Sequence, residues 1–214
     1  MSRDRFLAGM AQIGADVSRE TLDRLETYAV LLTKWQKAIN LVGPTTVDAL
    51  WVRHILDSAQ LLPLLPPGAP SLADLGSGAG LPGLILAAFR PTLALTLIES
   101  DARKAAFLGE AARAMALPQM PKIVIARIET APPAQAEIVT ARALAPLEVL
   151  LGYAERHRAR TDTAICLFHK GRGWQAELTQ AERVWTIRAQ TQPSQTDRDS
   201  VLLRIGAFEP RPKS

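Results

Sequence analysis

The sequence predicts an α/β fold, a seven-stranded and mostly parallel sheet with helices on both faces, preceded by an N-terminal helical cap. Three observations predict it. From Ser71 onward, short apolar runs alternate with helical patterns. At the first of these alternations, Gly76, Gly78, Gly80 and Gly83 crowd into eight residues between an apolar strand-like run and an apolar helix-like run. Near the end, two strand-like runs flank Pro193 without a convincing helix between them, which suits a hairpin and an antiparallel last strand.

Taken in order, residues 3–13 carry Phe6, Leu7, Met10 and Ile13 at helical spacing, and Gly14 can end that helix. Ser18 is a good N-cap for a second helix, whose apolar face holds Leu22, Leu25, Ala29, Leu32, Trp35 and Ile39. Leu50, Val52, Ile55, Leu56, Ala59 and Leu62 mark a third helical stretch. The proline-rich segment from Pro63 to Pro70 breaks the pattern and divides the chain into a cap, 1–70, and a main domain, 71–214. In the main domain, strands are expected near 71–75, 94–99, 122–126, 136–141, 163–169, 183–189 and 200–206. Helices are expected near 81–89, 102–116, 146–157 and 173–181.

The stretch Asp74-Leu75-Gly76-Ser77-Gly78-Ala79-Gly80-Leu81-Pro82-Gly83 is expected to be the strand–turn–helix that aims free backbone N–H groups at a ligand. Glycine suits it because a side chain would block close approach and because tight turns use positive φ. Pro82 suits a first helical turn. Gly78, Gly80 and Gly83 match G-x-G-x-x-G, the dinucleotide fingerprint. Taken from Asp74, the same residues read D-x-G-x-G-x-G, which resembles motif I of methyltransferases that use S-adenosyl-L-methionine (SAM). The next strand ends in Glu99, an acid placed to accept both hydroxyls of a ribose. Both cofactors contain that ribose, so Glu99 does not choose between them.

The chain has 214 residues, 48% of them hydrophobic, enough for one α/β domain with an extension. Its net charge is +4. Basic and acidic residues balance at seven each in 1–71 and again in 72–150, then stand at eleven against seven in 151–214. An excess confined to the last third suggests a polyanion such as RNA as partner; a solvated basic surface explains it equally well. A single cysteine, Cys166, rules out an intrachain disulfide and suits a reducing cytoplasm. The first residues lack a signal-peptide layout, and no apolar run reaches membrane-spanning length.

Several unusual residues fall at expected strand ends, where open α/β sheets bind ligands. After the third strand come Ile128, which can pack on a nucleobase, and Glu129, which can accept from its amino group or remain a solvated loop acid. The fourth strand ends in Arg142, costly there unless it meets an anion, a hydrogen-bond array or an ion-pair partner. The fifth ends in His169-Lys170-Gly171-Arg172-Gly173, suited to phosphate or simply a basic loop. In the cap, Asn40 and His54 stand out, although a lone histidine is more often a satisfied structural one than a catalyst; Arg53 and Asp57, four apart, can pair on one helix face. Asn40, His54, Arg142 and Lys170 are candidates for positioning a substrate. The three histidines are scattered and show no metal-ligand spacing.

Absences narrow the chemistry. Methylation at pyrimidine C5 needs a thiolate, and Cys166 sits mid-strand between Ile165 and Leu167. An N-P-P-Y-like box for exocyclic amines is missing; Ala141-Arg142-Ala143-Leu144 stands at that place. Guanine N7 has an exposed lone pair and can attack a sulfonium methyl without first losing a proton. Such a reaction needs alignment more than a base.

Nearly the whole chain resembles the GidB (RsmG) family of bacterial methyltransferases of small-subunit ribosomal RNA. Lys34-Trp35-Gln36-Lys37-Ala38-Ile39-Asn40-Leu41 is similar to the family's K-W-N-K-x-x-N-L, and Arg53-His54-Ile55-Leu56-Asp57-Ser58 to its R-H-I-L-D-S. The glycine loop resembles D-x-G-T/S-G-x-G-x-P-G; Arg127-Ile128-Glu129, Arg142-Ala143 and Lys170-Gly171 resemble R-V-E, S-R-A and L-K-G. The resemblance implies a Rossmann-like SAM-dependent methyltransferase fold. It implies methyl transfer from SAM to N7 of a guanine in the 530 loop of 16S rRNA (position 527 in the usual rRNA numbering), within the small subunit or an assembly intermediate. Gly76, Ser77, Gly78, Gly80, Leu81, Glu99, Ile128, Glu129 and Arg142 would then line the cofactor site. Glu99 replaces the family's frequent Asp, and His169 its usual Leu. An NAD-dependent oxidoreductase fits the glycines but not Asp74, the cap signature or the late hairpin. A SAM-binding ribosome-assembly factor without enzymatic activity fits the same fold.

Overall fold

The computed structural model describes residues 2–68 and 70–212, so Ala69 of the proline-rich segment lies outside the described residues. Seven strands form one sheet: β1 (Ser71–Leu75), β2 (Ala94–Glu99), β3 (Lys122–Ile125), β4 (Ile138–Arg142), β5 (Ile165–Lys170), β6 (Trp185–Pro193) and β7 (Val201–Pro210). Their order is β3-β2-β1-β4-β5-β7-β6. The first five are parallel, and β7 runs antiparallel to both β5 and β6. Short apolar runs explain the parallel strands: β1 and β4 are buried on both faces, as a sheet covered on both sides requires. In β6 the pattern alternates between exposed and half-buried, as expected of an edge strand.

Helices α1 (Ser2–Gln12) and α2 (Arg19–Gln36) open the chain. Ser18 caps α2, its hydroxyl accepting from the Thr21 amide at 3.1 Å. The third expected helix is not one stretch. It is a 3₁₀ turn (Pro44–Ala49), a wide π turn (Trp51–Leu56), a single α turn, α3 (Asp57–Ala59), and a 3₁₀ turn (Leu62–Leu64). Apolar spacing is nearly the same in all of these, so the sequence pattern does not separate them. The remaining helices are α4 (Gly83–Phe89), α5 (Ala102–Ala114), α6 (Leu147–His157) and α7 (Trp174–Ala181). No helix among the described residues is long and apolar enough to cross a membrane.

Two cores result, one on each face of the sheet. On one face, Phe6, Met10, Leu25, Tyr28 and Leu32 of the first two helices share a cluster with Leu72, Leu84, Leu95, Leu97 and Leu108. Trp35 packs edge-on against Phe107 of α5 with ring centroids 5.8 Å apart. The other core lies under α6 and α7 and contains Leu75, Ile98, Val139, Cys166, Phe168 and Leu203. The helical segment before β1 thus closes one face of the sheet rather than forming a core of its own.

The strand order reverses at β1, with β2 on one side and β4 on the other. This is the switch point beyond which α/β sheets bind ligands. Asp74 lies directly opposite Thr140 there, and Arg142 opposite His169 one strand further on.

Gly83 opens α4 with no room for a side chain: an added Cβ would lie 2.8 Å from Leu97 Cδ2 and 3.0 Å from Asp74 Oδ2. Gly83→Ala should lower the free energy of urea unfolding by about 1–3 kcal/mol with an unchanged m-value. Gly152, exposed in α6 with nothing within 4 Å of its Cβ position, is the opposite case. Gly152→Ala should raise the same quantity by about 0.5–1 kcal/mol.

Candidate active site

The glycine loop leaves β1 at Leu75 and enters α4 at Gly83. Gly76, Gly78 and Gly80 all have positive φ, the reason for glycine at these positions. Room for a ligand is a separate matter, and only Gly78 of the four offers it: the nearest atom to an added Cβ would be the Gly76 carbonyl oxygen at 3.8 Å. At Gly76 an added Cβ would meet Leu144 Cδ1 at 2.6 Å, and at Gly80 it would meet Leu84 Cδ1 at 2.5 Å. Protein packing, not a ligand, claims those spaces. Pro82 stands just before the first helical residue, at the N-cap.

Internal bonds hold the loop's shape. Asp74 is 1% exposed; its carboxylate accepts from Thr140 Oγ1 at 2.9 Å and from the Gly83 amide at 3.2 Å. Burial pushes its carboxyl up to about 7, against the pull of those donors and of Arg142. Ser77 is buried, its hydroxyl donating to the Asp74 carbonyl at 2.8 Å, so it offers a ligand its backbone rather than its side chain. Leu81 is buried in the core shared with the cap. Sequence reasoning missed Tyr28, whose hydroxyl reaches from α2 to donate to the Ala79 carbonyl at 2.7 Å. A signal existed: Tyr28 lies three and four residues from Leu25 and Leu32, on the apolar face, and a buried tyrosine hydroxyl needs a partner.

Glu99 ends β2 beside the loop and is 7% exposed. One carboxylate oxygen accepts from the Gly78 amide and the other from the Asp101 amide, each at 2.8 Å. Two backbone donors therefore aim the group, and each oxygen keeps a lone pair for a further donor. Ile128 is buried in the core under α6, and its carbonyl accepts from His157 Nε2 at 2.9 Å. Glu129 is exposed and accepts from the Tyr153 hydroxyl at 2.7 Å.

Arg142 faces the cap. Its Nε meets Asp57 Oδ2 at 2.9 Å, and its Nη2 donates to the Arg53 carbonyl at 2.7 Å and to His54 Nδ1 at 3.1 Å. The expected Arg53–Asp57 pair therefore does not form. Asp57 takes Arg142, while Arg53 lies 3.5 Å from Asp197. The pairing rule for residues four apart assumes regular α-helix, and here the π turn intervenes. Asp57 Oδ1 also accepts from Gln60 Nε2 and Thr196 Oγ1, and its carbonyl accepts from His169 Nε2 at 2.7 Å. His169 Nδ1 is buried without a partner among the described residues. Lys170 points to the other face, where its ammonium meets Glu177 at 2.5 Å and the Ala145 carbonyl at 3.0 Å. It is 7% exposed and ion-paired, so of the two cations in this loop Arg172 is the one open to solvent. Asn40 is exposed at the end of the turn after α2 and apart from this cluster's bonds.

A cleft of about 470 Å³ opens beside Arg142, His169 and Lys170. Leu144 lines it and also lies against Gly76, so a single side chain separates the glycine loop from the cleft. Cys166 is buried mid-sheet, and burial pushes its thiol up to about 12, unfit for nucleophilic attack. Among the described residues, no group of three His, Cys, Asp or Glu could hold a metal ion.

Because arginine only donates, His54 Nδ1 must accept, which makes Nε2 the protonated nitrogen facing Thr46 Oγ1 at 2.7 Å. Burial, with the Arg142 charge second, lowers this imidazole from 6.5 to about 4. The unfolded chain therefore binds the proton that the folded chain refuses. The stability carried by neutral His54 is complete above about 6.5 and is lost as pH falls towards about 4. His54→Asn keeps an acceptor for Arg142 and removes the titration. Urea midpoints of this variant should decline less than those of the parent between pH 6.5 and 4.

The sequence profile of GidB, rRNA small subunit methyltransferase G, matches residues 21–199. The chain is 53% identical over 189 residues to a ribosomal RNA small subunit methyltransferase G of Paramagnetospirillum magneticum, covering 88% of this chain and 90% of that one. With the protein of the same name from Rhodospirillum centenum it shares 50% over 206 residues, 96% and 93% of the two chains. Among solved structures, magnesium protoporphyrin IX methyltransferase of Synechocystis superposes with a TM-score of 0.59 at 12% identity, over 90% of this chain and 99% of that one. A SAM-dependent methyltransferase of Aquifex aeolicus gives 0.57 at 12% identity, over 81% and 96%. The late hairpin, the acid before the glycines and the cap signature thus find their common explanation: the chain belongs to the GidB family, rRNA small subunit methyltransferase G.

Proposed function

We propose that the chain transfers a methyl group from SAM to N7 of a guanine in the 530 loop of 16S rRNA, in the cytoplasm, on the small subunit or an assembly intermediate. One observation carries the site assignment. The Gly78 amide and the Glu99 carboxylate sit together at the switch point, with open space at Gly78 and a polar cleft one side chain away.

The residues fit SAM. Glu99, aimed by two amides, accepts the ribose hydroxyls. Gly76, Ser77, Gly78, Gly80 and Leu81 present backbone to the amino-acid end, and Ile128 and Glu129 border the adenine. SAM supplies an electrophilic methyl on a sulfonium, which leaves as a neutral thioether. Guanine N7 donates its lone pair to that methyl and the purine gains the positive charge, so no base is needed. The protein's task is alignment, for which effective molarities are large. Arg142 is held by three contacts to the cap and keeps Nη1 free among the described residues, which suits it to fix the acceptor from the cleft side. Lys170 and His54 support the acceptor side by holding Ala145 and Arg142 of the cleft; for Asn40, only its place in the cap signature supports such a role.

Labelled SAM with small subunits lacking the modification tests the reading, with the site mapped by N7-specific chain cleavage. A single new cleavage in the 530 loop is expected; incorporation at another base would refute the acceptor. Glu99→Gln should raise KM for SAM about tenfold, or about 1.4 kcal/mol. Arg142→Ala should cut transfer about a hundredfold, and an unaltered rate would remove Arg142 from the acceptor side.

A further inference from the structure

The cleft has a mouth that the methyl-transfer reading does not use. The tip of the β6–β7 hairpin, residues 194–200, reads Ser-Gln-Thr-Asp-Arg-Asp-Ser and closes over it. Its first part is anchored to the cap: Gln60 Nε2 donates to Ser194 Oγ at 3.1 Å, and the Gln195 amide donates to Gln60 Oε1 at 3.0 Å. Beyond Thr196 the tip carries two acids. Asp197 lies 3.5 Å from Arg53 of the cap, and Asp199 lies 2.7 Å from Arg172 in the loop after β5. Both arginines line the cleft. Both remain open to solvent, with side chains 45% and 87% exposed. The two acids are two residues apart, so their Cα atoms are within about 7 Å of each other. Two guanidinium groups are thus held at the cleft mouth on a pair of closely spaced anions.

We propose that Arg53 and Arg172 contact neighbouring phosphates of the RNA strand that delivers the acceptor base, and that Asp197 and Asp199 occupy their place in the free protein. This rests on the RNA-methylating reading above. Guanidinium binds carboxylate and phosphate with the same planar fork, so one anion replaces the other without new geometry. Exposed ion pairs are weak and exchange readily. A base splayed from its strand into the cleft would bring its flanking phosphates to the mouth, the mode in which RNA is usually read. The incoming phosphates also repel the two acids. The backbone of the tip is closed by the Ser200 amide on the Asp197 carbonyl and the Ser194 amide on the Ser200 carbonyl, each at 3.0 Å, so it is the two carboxylate side chains that give way to the phosphates. Arg198, exposed between the two acids, already leaves the mouth with one positive charge in excess, and displacing both carboxylates raises that excess, which favours a polyanion over small anions.

The test uses the full chain and small-subunit rRNA, both deproteinised and within the subunit, with affinity measured across a salt series. Arg53→Gln and Arg172→Gln should each weaken binding at low salt about tenfold and flatten the log–log salt slope by about 0.7. SAM affinity, read by thermal shift, should not move, which shows that these variants fold. Asp197→Asn combined with Asp199→Asn should tighten RNA binding about three- to tenfold, because the internal competitors are gone. Arginine variants with the parental slope would overturn the proposal, as would aspartate variants that bind RNA no better than the parent. If the parent chain binds and methylates but the slopes do not change, this inference falls alone. If the parent binds neither form of the RNA, it falls together with the reading it rests on.

Discussion

Asp57 holds four parts of the chain in one place. Its carboxylate meets Arg142 at the end of β4 and Thr196 in the hairpin tip, its carbonyl meets His169 at the end of β5, and its own backbone belongs to the cap. The Asp57 and Arg142 side chains are only 13% and 19% exposed. A shielded pair of this kind adds little net stability, because desolvation offsets attraction, but losing one partner typically costs about 3–5 kcal/mol. Its effect is therefore on geometry. It fixes the cap's position against the carboxyl ends of the strands, and with it the direction of the Arg142 fork. The π turn contributes directly, since Arg142 takes the Arg53 carbonyl and His54 Nδ1 from that widened segment.

A second constraint shapes the glycine loop. Asp74 is buried under it, with Thr140 and the Gly83 amide aimed at its carboxylate. Donors favour the charged form and burial the neutral one, and the balance leaves this acid close to its titration point at neutral pH. The acid before the glycines thus bonds beneath the loop, while Glu99, one strand over, bonds the Gly78 amide of the loop and the Asp101 amide after β2.

Much of this was legible in the sequence because the fold rests on local patterns. Short, largely apolar runs such as Leu72–Leu75 and Leu95–Ile98 between helical patterns suit buried strands, and the break around Pro193 suited the hairpin that β6 and β7 form. The places of the glycines and Glu99 were legible for the same reason: they follow or end apolar runs that form β1 and β2. Tertiary competition was not legible. Spacing along the chain suggested that Arg53 pairs with Asp57, yet a residue 85 positions away claims that acid. Alternation along β5 sends His169 to the cap and Lys170 to α7, so two adjacent candidates serve opposite faces. Glu177, which neutralises Lys170, sits in a helix that gives no sequence hint of its partner.

The Tyr28–Ala79 hydrogen bond has a consequence for how this fold can be divided or recombined. The change of pattern near Pro70 looks like a seam between modules. The bond crosses that seam from α2 to the middle of the glycine loop, within a core that both sides share. Transplanting the main domain onto another N-terminal extension would strip the loop of an internal support as well as uncovering one face of the sheet. A truncation or chimera cut at that seam therefore removes packing and a hydrogen bond that the main domain's loop uses.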